Sequence, residues 1–271
     1  MANSNTKVVR IEGKLMKVNS YLVESTAGVL IVDGMLTVSD ARAVRRHIDA
    51  LGRPVLGAIV THAHPDHYAG LHDMLLGLDA TVYATPDVRR VIERDDPIKD
   101  AIVGPMMGAE WPKQRIFPGR DVASGSTLSL GDGQLELRVR DIGPAESPAD
   151  SLWMLDERSW FTGDLVYNGM HAYLADGHQL EWLRVLDRLE AEIDPEATLY
   201  VGHGEPGTAR SLFGAQRRYI ETFVDSVGRH RRLEPEARRA AVMQDMKRAL
   251  PSDELAFLTE LSVDPVARAL A

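Results

Sequence analysis

Two periods alternate along the chain. Residues 7–12, 20–24 and 28–33 are short, β-branched and apolar, with Asn19, Ser20, Ala27 and Gly28 between them, and they predict strands. The third, Gly28 to Asp33, is an almost unbroken apolar run, as expected of a buried central strand. Ser39 then predicts the cap of a helix to Leu51, with Ala41, Val44, Ile48 and Leu51 on one face and Gly52 closing it. Residues 55–60 predict a second buried strand, followed by a helix from about Asp66 to Leu76. A strand at 81–84 and a short helix at 86–93, opened by Pro86, come next. Over 94–120 the period is lost among Pro97, Pro105, Pro112, Pro118 and three glycines, which predicts an irregular lid or binding loop. Its apolar members Met106, Met107, Trp111, Ile116 and Phe117 either anchor it to the core or line a pocket. Arg115 is either solvated or placed for a substrate anion.

The second half repeats the alternation. Residues 126–130 and 134–142 predict a hairpin around Gly131-Asp132-Gly133. Strands at 151–156, 159–162 and 198–201 flank a helix at 179–193, with Leu183, Leu186, Leu189 and Ile193 inward. From about residue 208 the pattern is helical throughout. Leu212, Tyr219, Ile220, Phe223 and Val227 form one stripe, Pro235 opens a second helix and Ser252 is placed to cap a third. These elements predict an α/β catalytic domain over 1–207. A helical extension over 208–271 follows, packed on the core or, in a homodimer, on a second subunit.

Composition narrows the chemistry. The 271 residues are 44% apolar and 26% charged, an ordinary globular balance. A net charge of −9 argues against a nucleic-acid partner. The chain has no cysteine, so any metal must be held by nitrogen and oxygen. The first thirteen residues hold no apolar core of a secretory signal, and no run is apolar enough to span a membrane. A cytoplasmic enzyme with a small-molecule substrate is expected.

The chemistry concentrates in Thr61-His62-Ala63-His64-Pro65-Asp66-His67-Tyr68-Ala69-Gly70, where H-x-H-x-D-H packs three imidazoles and a carboxylate into one loop. These are ligand types that zinc, iron and manganese accept, and the spacing lets one loop serve two ions. A His-rich surface loop is the plain alternative. Preceded by the apolar run 55–60, this stretch resembles the signature of the metallo-β-lactamase fold superfamily, with thinner resemblance over residues 8 to about 205. The resemblance implies an αββα sandwich and a dinuclear metallohydrolase. One ion would take His62, His64 and a third ligand from the 143–148 loop, the other Asp66, His67 and His203, with Asp164 bridging. Asp33 is then a carboxylate beside the metal loop; otherwise it is a turn residue.

The third ligand departs from the family pattern, which has histidine where this chain reads Pro144-Ala145-Glu146-Ser147-Pro148. No histidine lies between His72 and His171, and Glu146 is expected to take the place. The stretch Glu146 to Asp150 resembles the equivalent loop of the metallo-β-lactamase-fold alkylsulfatases. Three carboxylates leave such a site one charge less positive than histidine would, and oxygen ligands favour harder ions. Zinc is the first expectation, with manganese or iron as alternatives. Two ions about 3.5–4 Å apart would hold a bridging hydroxide as nucleophile, oriented by Asp66 or Asp164. Tyr167, three residues after Asp164, resembles the tyrosine that supports the oxyanion in N-acyl-homoserine lactonases. A packed aromatic is the plain alternative. His171, Tyr173 and His178 follow on the next loop, within reach of a pocket mouth. Ester or lactone hydrolysis is the leading expectation. Sulfate-ester hydrolysis, β-lactam hydrolysis and an iron-dependent oxidoreductase of the same fold are the alternatives.

Overall fold

The computed structural model describes residues 6–270. Residues 1–5, part of the stretch read as lacking a signal, lie outside it. In chain order the elements are β1 (Lys7–Glu12), β2 (Asn19–Glu24), β3 (Val29–Val32), α1 (Val38–Leu51), β4 (Val55–Ile59), α2 (Pro65–Tyr68), α3 (Leu71–Leu75), β5 (Val82–Ala84), α4 (Pro86–Met107) and β6 (Arg120–Asp121). The second half holds β7 (Thr127–Leu130), β8 (Leu135–Gly143), β9 (Asp150–Asp156), β10 (Ser159–Gly163), α5 (Gln179–Glu192), β11 (Thr198–Val201) and β12 (Gly207–Thr208). Helices α6 (Ala209–His230), α7 (Pro235–Ala249) and α8 (Ala256–Ala269) close the chain.

The strands form two six-stranded sheets, ordered β1-β2-β3-β4-β5-β6 and β12-β11-β10-β9-β8-β7. Their facing sides share one apolar layer, in which Tyr21, Leu30, Val32 and Ile59 meet Leu135, Leu137, Val139, Trp153 and Phe161. Alternation along β8 puts Leu135, Leu137 and Val139 inward and Glu136 and Arg138 outward. Helices α1 to α4 cover the outer side of the first sheet through Val44, Ile48, Leu71, Met74, Val88 and Ile92. The outer side of the second is covered by α5 and the C-terminal helices through Trp182, Leu186, Phe213, Phe223, Met246 and Val263. This is the αββα sandwich, and the C-terminal helices share the apolar cluster of the core. No helix among the described residues is long and apolar enough to cross a membrane.

Four expectations are corrected. The 94–120 segment is not irregular throughout, because α4 runs unbroken to Met107 with Pro97 and Pro105 inside it. Each proline removes one hydrogen bond, to the carbonyl of Glu93 or Ala101. All four positions face solvent, where water can take that place. The apolar period also survives, since Val103 and Met107 continue the buried stripe of Val88 and Ile92. Of the segment's other apolar residues, Trp111, Ile116 and Phe117 pack on the core and Met106 is exposed. Arg115 is occupied by Asp96, at 2.7 and 2.8 Å, and lies over the Trp111 ring.

The helix expected from Asp66 to Leu76 is broken in two. Gly70 N donates to Met35 O at 2.7 Å, and a β-carbon there would come 2.6 Å from that oxygen, so the chain turns at this close approach. Helix α1 is capped by Thr37, which accepts from Asp40 N, and not by Ser39. Ser252 accepts from Glu254 N before α8 begins, so it caps no helix.

Candidate metal centre

The metal loop leaves the C-terminal end of β4, where open α/β sheets usually place ligands. It sits where the two sheets meet. Ser151 N and Oγ donate to Thr61 O at 2.9 and 2.6 Å, and His62 bridges Asp150. On the other side Asn19 N donates to Gly202 O, and His203 bridges Val18. Four separated stretches thereby converge on one buried point.

The structure gathers all seven expected ligands there in two groups. Asp66, His67, Asp164 and His203 form one, and His62, His64 and Glu146 the other, with donor atoms in each within 4.8 Å of one another. Asp164 reaches both, its Oδ1 lying 3.3 Å from His67 Nε2 and its Oδ2 3.2 Å from His203 Nε2 and 4.0 Å from His62 Nε2. Asp66 Oδ2 is 3.2 Å from His203 Nε2. Glu146 Oε2 is 2.8 Å from His64 Nδ1 and 3.5 Å from His62 Nε2.

Each imidazole turns one nitrogen to this point and spends the other on a fixed acceptor. His67 Nδ1 is 2.9 Å from Asp33 Oδ2, and His203 Nδ1 is 3.1 Å from Lys17 O. The Thr61 hydroxyl donates to Asp33 at 2.8 Å, which leaves it to accept from His62 Nδ1 at 3.1 Å. His64 is turned the other way, with Nε2 2.9 Å from Asp176 Oδ2. Such partners fix tautomer and ring plane in metal-binding histidines.

Asp33 is more than a turn residue. It takes Thr61 N, Thr61 Oγ1 and His67 Nδ1 on one carboxylate while its backbone holds φ 62°, a conformation Asp tolerates better than bulkier residues. Gly202 is fixed by space, because a β-carbon there would overlap Asp164 Oδ1 and come 2.8 Å from His67 Cε1.

The donor set passes a direct test of fit. His62 Nε2, His67 Nε2, His203 Nε2, Glu146 Oε2 and Asp164 Oδ1 are all buried and make no well-aligned hydrogen bond, although they crowd within 2.8–4.0 Å of carboxylate or imidazole neighbours. A buried polar atom left unpaired costs about 1–3 kcal/mol, and five aimed at one point are what a cation relieves. Charges tell the same story. Burial opposes protonation of His203, yet Asp164 and Asp66 raise its pKa to about 10. Burial pushes Glu146 up to about 7 against the pull of His64. Burial and the neighbouring His67 hold His62 neutral.

Tyr167 also arrives at the centre. Its hydroxyl donates to Asp164 Oδ2 at 2.7 Å and lies 3.1 Å from Glu146 Oε1, and its ring stacks on His203. Tyr173 stands edge-on to His64. His171 turns away, bonded to Tyr219 and the Ser252 carbonyl, and His178 precedes α5 without a capping bond.

The sequence assigns no role to Asp150, which only ends the alkylsulfatase-like stretch, and none to Asp176. Asp150 Oδ2 accepts from Ala145 N at 3.1 Å and Ser147 N at 2.9 Å, pinning the turn that presents Glu146. An acid four residues past Glu146 was a usable signal for this turn. Nothing in the spacing marks Asp176.

Comparisons agree with the geometry. A curated hydroxyacylglutathione hydrolase from Methylobacillus flagellatus is 25% identical over 183 residues, 68% of this chain and 60% of that protein. The match thus spans less than two thirds of the relative's length. A beta-lactamase domain protein from Burkholderia ambifaria has a similar structure, with TM-score 0.69 and 18% identity over 97% of this chain and 85% of that one. A variant of a sec-alkyl sulfatase aligns with TM-score 0.68 and 18% identity over 97% of this chain and 49% of that one. At these identities the solved structures speak for the fold alone. The profile of the metallo-beta-lactamase superfamily matches residues 13–204, which is most of the chain, and the chain belongs to that superfamily.

Proposed function

We propose that the chain is a dinuclear metallohydrolase of carboxylic esters or lactones. The observation that carries this reading is the convergence of five buried donor atoms from two neighbouring ligand groups, with Asp164 of one group 4.0 Å from His62 of the other. His62, His64 and Glu146 would hold one ion and Asp66, His67 and His203 the other, with Asp164 between them. Bound there, two divalent ions supply Lewis acidity and lower the pKa of water toward neutrality. Zinc is the first candidate. The three carboxylates leave room for manganese or iron, and a structurally similar protein, 24% identical, is described in a di-iron-bound form.

The chain's own residues divide the remaining work. Asp66 is the most exposed of the three carboxylates, 10% against 2% for Asp164 and 0% for Glu146. It is the one placed to take a proton from water at the mouth. Burial would raise its pKa, but His67 and His203 lower it well below the usual range, so it stays ionised. Tyr167 keeps Asp164 and Glu146 in fixed relation through one shared hydroxyl. The relative named as a hydroxyacylglutathione hydrolase supports hydrolysis, although the match covers only part of it.

Glu146 supports a second reading, sulfate-ester hydrolysis, because its loop resembles that of alkylsulfatases. Turnover on panels of lactones, aryl esters and alkyl sulfates separates the two. Asp164→Ala and His203→Ala are the controls, and unchanged turnover in both ends the metal mechanism.

A further inference from the structure

We propose that Asp176 is a positioning residue for the His62–His64–Glu146 half of the centre, and that the C-terminal helices set its place. His64 has 8% of its side chain exposed and lies between two carboxylates, Glu146 on Nδ1 and Asp176 on Nε2. The Asp176 bond selects which nitrogen faces the centre.

Asp176 stands on a segment, residues 171–176, with no helix or strand of its own. Its backbone is tied instead to the end of the chain. His171 N donates to Glu254 O at 3.0 Å, Leu174 N donates to Ser262 Oγ at 2.8 Å, and Thr259 Oγ1 donates to Ala172 O at 2.8 Å. His171 Nε2 meets Ser252 O at 3.0 Å, and its Nδ1 meets Tyr219 OH at 2.8 Å. Thr259 and Ser262 are wholly buried on α8. A buried hydroxyl is unfavourable unless paired, and both spend a bond on this segment. The other half of the centre leans on Asp33 and the Lys17 carbonyl, at the start of the chain. A disturbance at α8 therefore has a hydrogen-bonded route to the 171–176 segment and through Asp176 to His64.

This inference rests on the reading that His62, His64 and Glu146 bind an ion, and the test separates the two. The full chain is equilibrated with zinc at graded free concentrations and the bound metal counted. Wild type should hold two ions. Asp176→Ala should weaken one by about 10–100-fold and leave the other unchanged. Asp176→Asn, which keeps an acceptor for Nε2–H, should recover part of the loss. Adding His203→Ala to Asp176→Ala should deplete the remaining ion, and adding His62→Ala should leave it in place. Ser262→Ala with Thr259→Val should weaken the same ion several-fold, with the urea midpoint followed in parallel. Two ions of wild-type affinity in Asp176→Ala, or equal weakening of both, overturns the inference. A wild-type chain that holds one ion overturns the dinuclear reading and removes the inference with it.

Discussion

The two halves of the metal centre are built from similar side chains but braced by different parts of the fold. Around Asp66, His67 and His203 the bracing is buried and early in the chain. Asp33 closes β3, is 2% exposed and serves backbone, hydroxyl and imidazole together. Around His62, His64 and Glu146 the bracing is spread out, with Asp33 acting on His62 only through Thr61, Asp150 at the start of β9 under Glu146, and Asp176 on a loop behind His64. Asp33 accepts three bonds that tie the end of β3 to the metal loop, whereas Asp150 accepts two within its own turn. Loss of the first should therefore cost stability together with metal affinity, and loss of the second mainly affinity.

Asp164→Ala should abolish the comparison, since this carboxylate reaches both halves. Metal content should fall toward none by elemental analysis, and kcat/KM on the best substrate by at least ~10³-fold, about 4 kcal/mol. Retention of one ion in this variant would show that Asp164 serves only one half. Asp33→Asn comes next. Asparagine keeps the acceptor for Thr61 N but cannot serve both the Thr61 hydroxyl and His67, so stability in urea should drop by about 2–4 kcal/mol together with zinc affinity. Asp150→Asn should weaken zinc binding while lowering stability in urea much less, by about 1 kcal/mol. Equal stability losses in the two variants would erase the distinction drawn above.

Chelation gives a diagnostic effect of its own. At free zinc about a hundredfold above Kd, restoring the metal should stabilise the protein by about 2.7 kcal/mol, read as a shift in thermal midpoint. The proton balance has a definite sign. With its pKa raised to about 10, metal-free His203 carries a proton at neutral pH that zinc must displace. Affinity should therefore rise as pH rises toward 10. Calorimetry in buffers of different ionisation enthalpy should record net proton release, and net uptake would contradict the assigned ligands. In the chelated protein the same shift runs the other way. The stabilisation from protonated His203 is full below about 6.5 and is lost as pH rises through about 10. Tyr167→Phe should give the smallest change in turnover, about tenfold in kcat/KM, because the stacked ring stays and only the hydroxyl is lost.

What could be read from the sequence follows from how local each feature is. His62, His64, Asp66 and His67 lie within one loop, and their spacing alone suggests metal. Asp164 and His203 each follow an apolar strand and were placed by family resemblance, as was Glu146. Asp176 has no such signature. It reaches His64 across 112 positions, and only the packing of the 171–176 segment on α8 brings it there. Helix α4 was missed for the opposite reason, since a local signal misled. Proline was read as a breaker, while the buried stripe through Val103 and Met107 and the solvent around Pro97 and Pro105 let the helix continue. The break at Gly70 was hidden because it depends on the Met35 carbonyl, distant in sequence.

Gly202 sets a limit on any attempt to redesign this centre. The Asp164 carboxylate occupies the volume that a methyl group at position 202 would claim. A library randomised there and screened for bound zinc should return only the parental residue, however permissive the surrounding loop. Variation in specificity has to be sought at the rim, where side chains can change without displacing an oxygen the whole assembly shares.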